Sequence, residues 1–372
     1  MNSDVAQRRD TPLARILKDR IAQDGPMPIA DYMSYCLWDA QHGYYATKQA
    51  IGRAGDFITA GEISQIFGEL IGLWSGVVWR EAFGAPARVT LAEYGPGRGA
   101  LIRDAVRSSR VVPGFQGAVS LHLVEMSPIL KSMQEAALKD AGAPVAWSQN
   151  LAGFPAPAII IANEFLDAWP VTQWIKTADG WRLRAVGLNA AGDLDFTALA
   201  GGPIHDELDA DYASAPEGVI YETLDVTRFA GALSAIGNSG PFAALLIDYG
   251  YTTPGAGDTL QALRNHAIEH PLASPGEADL STHVNFHALA VALHRAGLAI
   301  DGPVTQAEFL GQLGIVERAS RLMSANPDRA GEIETGVARL LAPTGMGARF
   351  KVIGVRRSDV PPLPGFAAAA QT

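Results

Sequence analysis

The sequence predicts an α/β fold: a doubly wound, mostly parallel sheet, with an N-terminal helical segment and α/β insertions. Two observations indicate this fold class. Segments with strand character alternate along the chain with segments of helical spacing, which is typical of right-handed β–α–β units. The segment "APAIIIANEF" (156–165) is almost entirely apolar, and a strand that is apolar on both faces belongs in the middle of a parallel sheet.

The N-terminal segment, residues 1–84, is predicted to be helical. Helical spacing runs through "TPLARILKDRIAQDG" (11–25) and "PIADYMSYCLWDAQHG" (28–43), and each stretch ends at Gly or at a Gly/Pro turn. In "ISQIFGELIGLWSGVVWREAF" (63–83), apolar residues recur at steps of three and four. We therefore expect an amphipathic helix there, with its apolar side on the core.

The core is predicted to span residues 85–360, followed by a flexible tail at 361–372. Strands are expected in five further segments: 87–94, "GAVSLHLVEMSP" up to Glu125, "PVAWSQN" (144–150), "FAALLIDYG" (242–250) and "GARFKVIGVRR" (347–357). Helices are expected after the first strand and in four later segments: "ILKSMQEAALKDAG" (129–142), near 223–237, "HVNFHALAVALHRAG" (283–297) and "TQAEFLGQLG" (305–314).

Two insertions are predicted in this core, near 170–240 and near 255–320. The alternation of strands and helices stops at about residue 171. The segment 171–200 instead has the pattern of short antiparallel strands, with turns at 179–180 and 191–192. We expect the insertions to form a cleft for a protein partner.

Composition restricts the classes of function. The 372 residues include 29 basic and 39 acidic side chains, a net charge of −10. This charge disfavours nucleic-acid binding, which needs a basic surface, and suits a small-molecule site or a basic protein substrate. Cys36 is the only cysteine, so neither an intramolecular disulfide nor a Cys-based zinc site is possible. The sequence shows neither a membrane-spanning apolar run nor a secretory signal, and a cytoplasmic location is expected.

A glycine turn follows the strand at 87–94, with Gly95, Gly97 and Gly99 at alternate positions in "EYGPGRGA". Glycine tolerates positive φ and lets a ligand approach the backbone closely. The letters "GPGRGA" also match the dinucleotide fingerprint, but weakly. Against that match, Glu93 places an acid at the strand end, and the next acidic strand end, Glu125, comes 30 residues after Gly95 instead of roughly 20. A nicotinamide-dependent oxidoreductase is therefore the weaker alternative.

The arrangement of Glu93, three glycines and Glu125 resembles that of class I S-adenosylmethionine methyltransferases. Nine blocks between about residues 10 and 358 resemble one family: "GDFITAGEISQIFGELIGLW", "EYGPGRGALIRD", "LHLVEMSPILKSMQ", "ANEFLDAWPVTQW", "LLIDYGY", "GDTLQALRNH", "PGEADLSTHVNF", "GPVTQAEFLGQLGI" and "MGARFKVIGV". It is the MidA family, which includes the mitochondrial complex I assembly methyltransferase. Where the family commonly has Ser-Pro after "GDFIT", this chain has Ala60-Gly61.

The resemblance implies a class I methyltransferase fold, S-adenosyl-L-methionine as cofactor, and methylation of a protein. It further implies an arginine of a respiratory complex I subunit as the target, and a role in assembly of that complex. Two alternatives stay open: an assembly chaperone that binds the cofactor without catalysis, and the same chemistry on another nucleophile. The sequence indicates no particular oligomeric state.

A cofactor site is expected around the glycine turn. Because a carboxylate makes strong charge-assisted hydrogen bonds, Glu125 is expected to accept both ribose hydroxyls, and Glu93 to attract the ammonium or sulfonium group. The turn itself would admit the compact amino-acid and ribose portions. The predicted cofactor-binding set also includes Phe57, Thr59, Met126 and Asn163. For Thr59 the alternative is a helix cap, and for Asn163 a contact with substrate.

Catalytic carboxylates are expected in "ANEFLDAWP" (162–170), at the carboxyl end of a strand, where doubly wound sheets bind ligands. An arginine side chain stays charged up to high pH, and carboxylates can hold its guanidinium fork and accept its proton. We expect Glu164 to hold the guanidinium and Asp167 to assist. In the alternative, Asp167 is a cap and Glu164 a solvated loop end.

Three further motifs bear on the site. In "DLSTHVNF", His283 is expected to orient a carboxylate or pass on a proton, with a structural role as the alternative. Asp248, at the end of another strand, is expected either to line the cleft or to cap a loop. "HAIEH" (266–270) fits a zinc-peptidase pattern, but Pro271 follows at once, and no metal site is predicted.

Overall fold

The computed structural model describes residues 8–47, 60–150, 154–199, 214–253 and 255–366. Two compact units divide the chain. The α/β unit comprises Ile58–Leu166, Val226–Thr252 and Phe286–Thr372. The antiparallel unit comprises Met1–Phe57, Asp167–Asp225 and Thr253–Asn285. Within each unit, the described residues define the fold.

The α/β unit contributes seven strands to a central sheet. They are β1 (Val89–Tyr94), β2 (Val119–Val124), β3 (Val145–Ser148), β4 (Ala158–Asn163), β5 (Phe242–Tyr251), β6 (Ala299–Thr305) and β7 (Phe350–Arg356). Their order in the sheet is β3-β2-β1-β4-β5-β7-β6. Strands β1 to β5 pair in parallel, and β7 runs antiparallel to both of its neighbours. The predicted mostly parallel sheet is confirmed.

Helices cover both faces of this sheet. Leu91 and Ile159 share a buried cluster with residues of the helices at 65–77 and 100–108. Because strand side chains alternate between faces, Tyr94 lies on the side opposite Leu91, and there its ring contacts Phe229 of another helix. The helices of the unit are Ala60–Ile63, Gln65–Val77, Ala100–Ser108, Phe115–Ala118, Pro128–Ala137, Thr227–Ser239, Phe286–Arg295, Gln306–Gln312, Ile315–Ala325, Ala330–Leu341 and Met346–Arg349, with π or 3-10 turns at Val78–Ala82, Ser109–Val111 and Pro327–Arg329.

The amphipathic helix predicted at 63–83 is present as Gln65–Val77, followed by the π turn Val78–Ala82. Ser64 caps its start, since the Ser64 hydroxyl accepts a hydrogen bond from the Ile66 amide. The apolar stripe is buried, as the sequence predicts; Phe67 and Ile71, for example, are fully enclosed.

The antiparallel unit consists of short helices and two sheets. The helices are Pro12–Asp24, Ile29–Trp38 and Tyr44–Thr47. One sheet contains Met27–Pro28, Val171–Thr177, Gly180–Leu188, Leu194–Leu199 and Ile220–Leu224; the other contains Gln261–Arg264, Ala267–Glu269 and Asp279–Ser281. A two-residue strand, Val284–Asn285, ends the unit. Both sheets are antiparallel throughout.

The units group the chain differently from the predicted domains. Residues 8–47 fold with the antiparallel unit, whereas Gln65–Val77 folds with the α/β unit, so the predicted segment 1–84 is divided. The first insertion ends at Asp225 and the second at Asn285, instead of near 240 and 320. The reason for the earlier ends is that the helices Thr227–Ser239 and Phe286–Arg295 pack in the α/β unit.

Two segments have a different structure from the one expected. The helix near 223–237 begins only at Thr227, because Ile220–Leu224 forms a strand paired with the strand Val171–Thr177. Residues 361–366 were expected in a flexible tail, yet Leu363 is buried, and the Trp74 indole donates to the Pro364 carbonyl at 2.9 Å. Across the described ranges, the helices lack the combination of length and apolar character that crossing a bilayer requires.

Candidate functional site

Three polar side chains end neighbouring strands on one face of the central sheet. Glu93 on β1 lies opposite Leu123 on β2 and Ile161 on β4. Glu125 and Asn163 each come two residues after those partners. Because residues two apart in a strand point to the same side, Glu93, Glu125 and Asn163 share one face at the carboxyl edge of the sheet.

The glycine turn between β1 and the helix Ala100–Ser108 needs its glycines. Gly95, Gly97 and Gly99 have φ values of +62°, +53° and +78°, a left-handed conformation that glycine adopts at little cost. A Cβ atom at Gly95 would lie 2.9 Å from Cδ2 of Phe165, so the turn also packs tightly against the segment that follows β4. The structure therefore brings the predicted turn and the end of β4 together.

Glu93 is a buried carboxylate whose hydrogen-bonding capacity the surrounding residues satisfy only in part. The residue is 3% exposed, and among the described residues its Oε2 has no hydrogen-bond partner. Burial raises the pKa of Glu93 to about 8; a hydrogen bond from the Ile102 backbone opposes that rise, and the charge of Glu125 adds to it. A buried acceptor without a donor is unusual, and a perturbed carboxyl pKa marks a candidate functional site.

Glu125 is half-buried and is held at both oxygens. Its Oε1 accepts a hydrogen bond from the Ser127 amide at 2.7 Å, and its Oε2 accepts one from Nε2 of Gln134 at 2.9 Å. Burial raises the pKa of Glu125, while the hydrogen bonds from Ser127 and Gln134 act to lower it. The neighbouring Met126 is 56% exposed, so its side chain remains available to a ligand.

Asn163 and Glu164 contact each other at the end of β4. The Asn163 side chain is buried, and its Oδ1 has no hydrogen-bond partner within the described ranges. Oε1 of Glu164 accepts hydrogen bonds from Nδ2 of Asn163 at 3.1 Å and from the Ala60 amide at 2.9 Å. The alternative of a solvated loop end does not apply to Glu164.

The backbone at Glu164 is in the left-handed region, with φ +52°. This conformation is uncommon for residues other than glycine, and such residues cluster at functional sites. Asp248, at the end of β5, helps to hold the turn: its Oδ2 accepts hydrogen bonds from the amides of Phe165 and Leu166 at 3.1 and 2.9 Å. Of the two roles expected for Asp248, the structure therefore supports the loop cap.

Asp167 and His283 belong to the antiparallel unit. The structure brings them near each other through Thr282, whose amide donates to the Asp167 carbonyl at 2.9 Å. The Asp167 side chain is buried and His283 is exposed. Burial raises the pKa of Tyr45 well above its usual value, and the charges of Asp279 and Asp167 add to that rise.

Two expectations concern other parts of the chain. Phe57 and Thr59, expected to contact the cofactor, lie outside the described residues. "HAIEH" contains the strand Ala267–Glu269, and Asn265 and His266 form a turn with positive φ, so the helix that the zinc pattern needs is not formed. In the described ranges there is no group of three or more His, Cys, Asp or Glu side chains suited to a metal ion.

Sequence reasoning missed Gln134, a fully buried residue of the helix Pro128–Ala137. Its Nε2 donates to the Gly97 carbonyl at 2.7 Å as well as to Glu125. An uncharged polar residue on the buried side of an amphipathic helix was the available signal. This pattern is a weak indication, because it does not identify the groups to which the Gln134 amide is hydrogen-bonded.

A model of one protein family matches residues 70–304, and its description reads "Putative S-adenosyl-L-methionine-dependent methyltransferase". Among curated proteins, the chain is 33% identical over 382 residues to "Protein arginine methyltransferase NDUFAF7, mitochondrial" of Homo sapiens, covering 94% of this chain and 84% of that one. It is 32% identical over 388 residues to the homolog of Drosophila melanogaster, covering 95% and 86% of the two chains.

Comparison with a solved structure also indicates a methyltransferase. It is a COG1565 superfamily member and likely methyl transferase from Burkholderia thailandensis, bound to S-adenosyl-homocysteine. It superposes with a TM-score of 0.86 at 26% identity, covering 96% of this chain and 95% of that chain. The expected fold and the resemblance to the MidA family are confirmed, as is S-adenosyl-L-methionine as cofactor.

One expectation from the sequence is wrong. A cytoplasmic location was expected from the missing signal and the missing apolar run. The relatives from Homo sapiens and Drosophila melanogaster are both named as mitochondrial proteins, and these names contradict the expectation. The physical reason for the error is that the two missing features, a secretory signal and a membrane-spanning run, do not specify a compartment.

Proposed function

Because the chain belongs to the family of S-adenosyl-L-methionine-dependent methyltransferases, we propose that it methylates an arginine side chain of a protein. The names of its relatives support this substrate class. We further propose a subunit of respiratory complex I as the substrate, as the resemblance of the nine blocks to the MidA family implies. The net charge of −10 suits a partner with exposed basic side chains.

The residues at the carboxyl edge of the sheet fit the cofactor. Two buried acceptors, Glu93 Oε2 and Asn163 Oδ1, lack hydrogen-bond partners within the described part of the chain, and the ammonium group of the cofactor is a donor. The glycine turn leaves the backbone open to a close approach. When bound, S-adenosyl-L-methionine supplies a methyl group on a positively charged sulfur.

In this proposal, Glu93 and Glu125 divide the binding between them. Glu93 attracts the positive charge of the cofactor, and Glu125 accepts the ribose hydroxyls. Because the pKa of Glu93 is raised to about 8, binding a cation there releases a proton at neutral pH. We therefore expect the affinity for the cofactor to rise as the pH rises towards 8.

Glu164 is proposed to hold the substrate guanidinium. A carboxylate that accepts hydrogen bonds from part of the guanidinium fork leaves another nitrogen to attack the methyl carbon in line with the departing sulfur. As the new carbon–nitrogen bond forms and the carbon–sulfur bond breaks, the guanidinium loses one proton, and a carboxylate can accept it. Asp167 and His283 are proposed to assist, as base or as orienting groups.

The observation that carries the proposal is the conformation of Glu164. Its carboxylate sits at the carboxyl end of β4, on a residue with φ +52°, and it is hydrogen-bonded to Asn163. Strain of this kind persists only where the surrounding structure enforces it, and here Asp248 holds the amides of the next two residues. A turn held in this way fixes the direction of the Glu164 side chain.

The test is methyl transfer from isotopically labelled S-adenosyl-L-methionine to isolated complex I subunits, with mass spectrometry to locate the label. Glu164→Gln is expected to lower the rate by roughly 10²- to 10⁴-fold, while the Kd for the cofactor stays within a fewfold of wild type. Glu135→Gln is the control, because Glu135 is exposed in the same unit, and it is expected to change neither quantity.

Other results would favour the alternatives. Cofactor binding by the wild type with no methyl transfer to any subunit would favour the assembly chaperone. Label on a side chain other than arginine would keep the methyltransferase and reject the substrate class. Full activity of the Glu164→Gln variant would remove Glu164 from the mechanism.

A further inference from the structure

The buried amide of Gln134 connects the two halves of the cofactor site. Its Nε2 donates one hydrogen bond to the Gly97 carbonyl, at 2.7 Å, and one to Oε2 of Glu125, at 2.9 Å. The first acceptor belongs to the glycine turn and the second to the end of β2. A single side chain, 0% exposed, thereby sets the spacing between the turn and the carboxylate.

The orientation of this amide is fixed by Trp147 on β3. The Trp147 indole nitrogen donates to Oε1 of Gln134 at 2.9 Å. An indole N–H can only donate, so the amide oxygen must face Trp147, and the NH₂ group must face Gly97 and Glu125. Both amide protons and the amide oxygen are then used, which makes the arrangement fully satisfied.

The backbone packing keeps Gln134 in place. A Cβ atom at Gly99 would lie 3.5 Å from both Cα and Cγ of Gln134. The helix Pro128–Ala137 therefore lies so near the glycine turn that an added methyl group at Gly99 would just fill the space between them. A shift of this helix would move the amide relative to both of its acceptors.

We propose that Gln134 is a positioning residue of the cofactor site, which orients the Glu125 carboxylate for recognition of a vicinal diol. The Ser127 amide holds Oε1 of Glu125, and Gln134 holds Oε2. A carboxylate offers about four acceptor positions, and the Ser127 amide, the Gln134 amide and the Met126 backbone occupy at most three of them, so at least one position remains for the ribose diol. The proposal rests on the assignment of Glu125 to the ribose made under the proposed function.

The experiment compares binding of S-adenosylhomocysteine and of its 2′-deoxy analogue by titration calorimetry. The wild type is expected to prefer the intact ribose by roughly tenfold or more, the effect of one hydrogen bond to a charged acceptor. Gln134→Met keeps a side chain of similar length and removes both hydrogen-bond donors. In this variant, the affinities for the two ligands are expected to differ by no more than about twofold. Loss of the preference is specific to orientation, since general destabilisation would weaken both ligands alike.

Gln306→Met is the matched control. Gln306 is also fully buried in the α/β unit, and its Nε2 donates to the Leu340 carbonyl at 2.9 Å, on other elements. The same substitution there is expected to lower stability and to leave the preference for the intact ribose unchanged.

The outcomes separate this proposal from the function it rests on. If the wild type binds neither ligand, the assignment of Glu125 fails. If the wild type prefers the intact ribose and Gln134→Met retains that preference, only the role of Gln134 is overturned. Should Gln134→Met fail to fold, Trp147→Phe carries the test, because it releases the amide from its fixed orientation; a reduced preference supports the proposal, and an unchanged one overturns it.

Discussion

Two buried glutamates in the α/β unit have opposite surroundings. Glu69, on the helix Gln65–Val77, is 4% exposed and accepts hydrogen bonds from Arg107 at 3.1 Å and from Arg318 at 2.8 Å. Glu93, on β1, is 3% exposed, and its Oε2 has no hydrogen-bond partner among the described residues. The two side chains are therefore buried to nearly the same extent, but in the described part of the chain only Glu69 has positively charged partners that offset the loss of solvation.

The difference fits a structural role for Glu69 and the ligand-binding role proposed for Glu93. Two guanidinium groups offset the desolvation of Glu69, so the pairing joins three helices of the unit. Nothing comparable offsets the burial of Glu93, and its pKa is raised to about 8. Such a group costs stability in the free protein, and a bound cation removes that cost.

The largest expected effect is on stability, from Glu69→Ala. Removing one partner of a buried ion pair costs about 3–5 kcal/mol. Because the two arginine side chains are 47% and 35% exposed and can be solvated, we expect a loss of about 2–3 kcal/mol. Urea denaturation measures this loss. The Kd for S-adenosyl-L-methionine is expected to stay at the wild-type value, and a weaker Kd in the folded variant would break the comparison.

The next effect is on cofactor binding, from Glu93→Gln. Loss of the charge is expected to weaken binding of S-adenosyl-L-methionine by roughly ten- to a hundredfold. The fold keeps a side chain of the same size, so calorimetry on the folded variant measures the loss of the charge together with one acceptor oxygen. A variant that binds as tightly as the wild type would show that Glu93 does not attract the cofactor.

The same variant has a predicted pH signature. Folding raises the pKa of Glu93 from its ordinary 4.5 to about 8, so the free wild type loses stability as the pH rises through this interval. Glu93→Gln lacks that loss. Its melting temperature relative to wild type is therefore expected to be higher at pH 9 than at pH 4. Parallel curves for the two proteins across this range would contradict the raised pKa.

The smallest effect is a difference of about 1 kcal/mol between two glycine variants. Gly84 and Gly95 both have positive φ, +74° and +62°, so alanine is strained at either position. A Cβ atom at Gly84 would meet nothing within 4 Å, whereas one at Gly95 would meet Phe165 at 2.9 Å. Gly95→Ala is expected to be the less stable variant in urea denaturation, and it alone should weaken cofactor binding. Equal losses of stability in the two variants would mean that the Phe165 ring moves aside at no cost.

The central strands and the residues at their ends were predictable from the sequence, because their signals are local. A run such as "APAIIIANEF" identifies a central strand by itself. Glu93 and Glu125 are recognisable as candidate site residues because each ends a strand near the glycine turn. The structure places both on one face, as a cofactor site requires. Their roles as ligands of the cofactor stay predictions that the experiments above address.

Features that depend on a distant partner were not predictable. The helix was predicted to begin near residue 223, within what is the strand Ile220–Leu224, because the strand Val171–Thr177 that pairs with it lies about 50 residues earlier. Gln134 gave no signal of its own, since its two acceptors lie on other elements. The packed residues 361–366 looked like a frayed end because Trp74, which binds the Pro364 carbonyl, is 290 residues away.

The carboxylate of Asp248 has a consequence for hydrogen exchange. The amides of Phe165 and Leu166 follow a strand end, where exchange with solvent is ordinarily fast, yet both donate to Asp248 Oδ2. The chain passes from one compact unit to the other directly after Leu166. Slow exchange of these two amides would show that the turn before the second unit is formed. Their protection should depend on Asp248, which lies 82 residues after Leu166 in the chain.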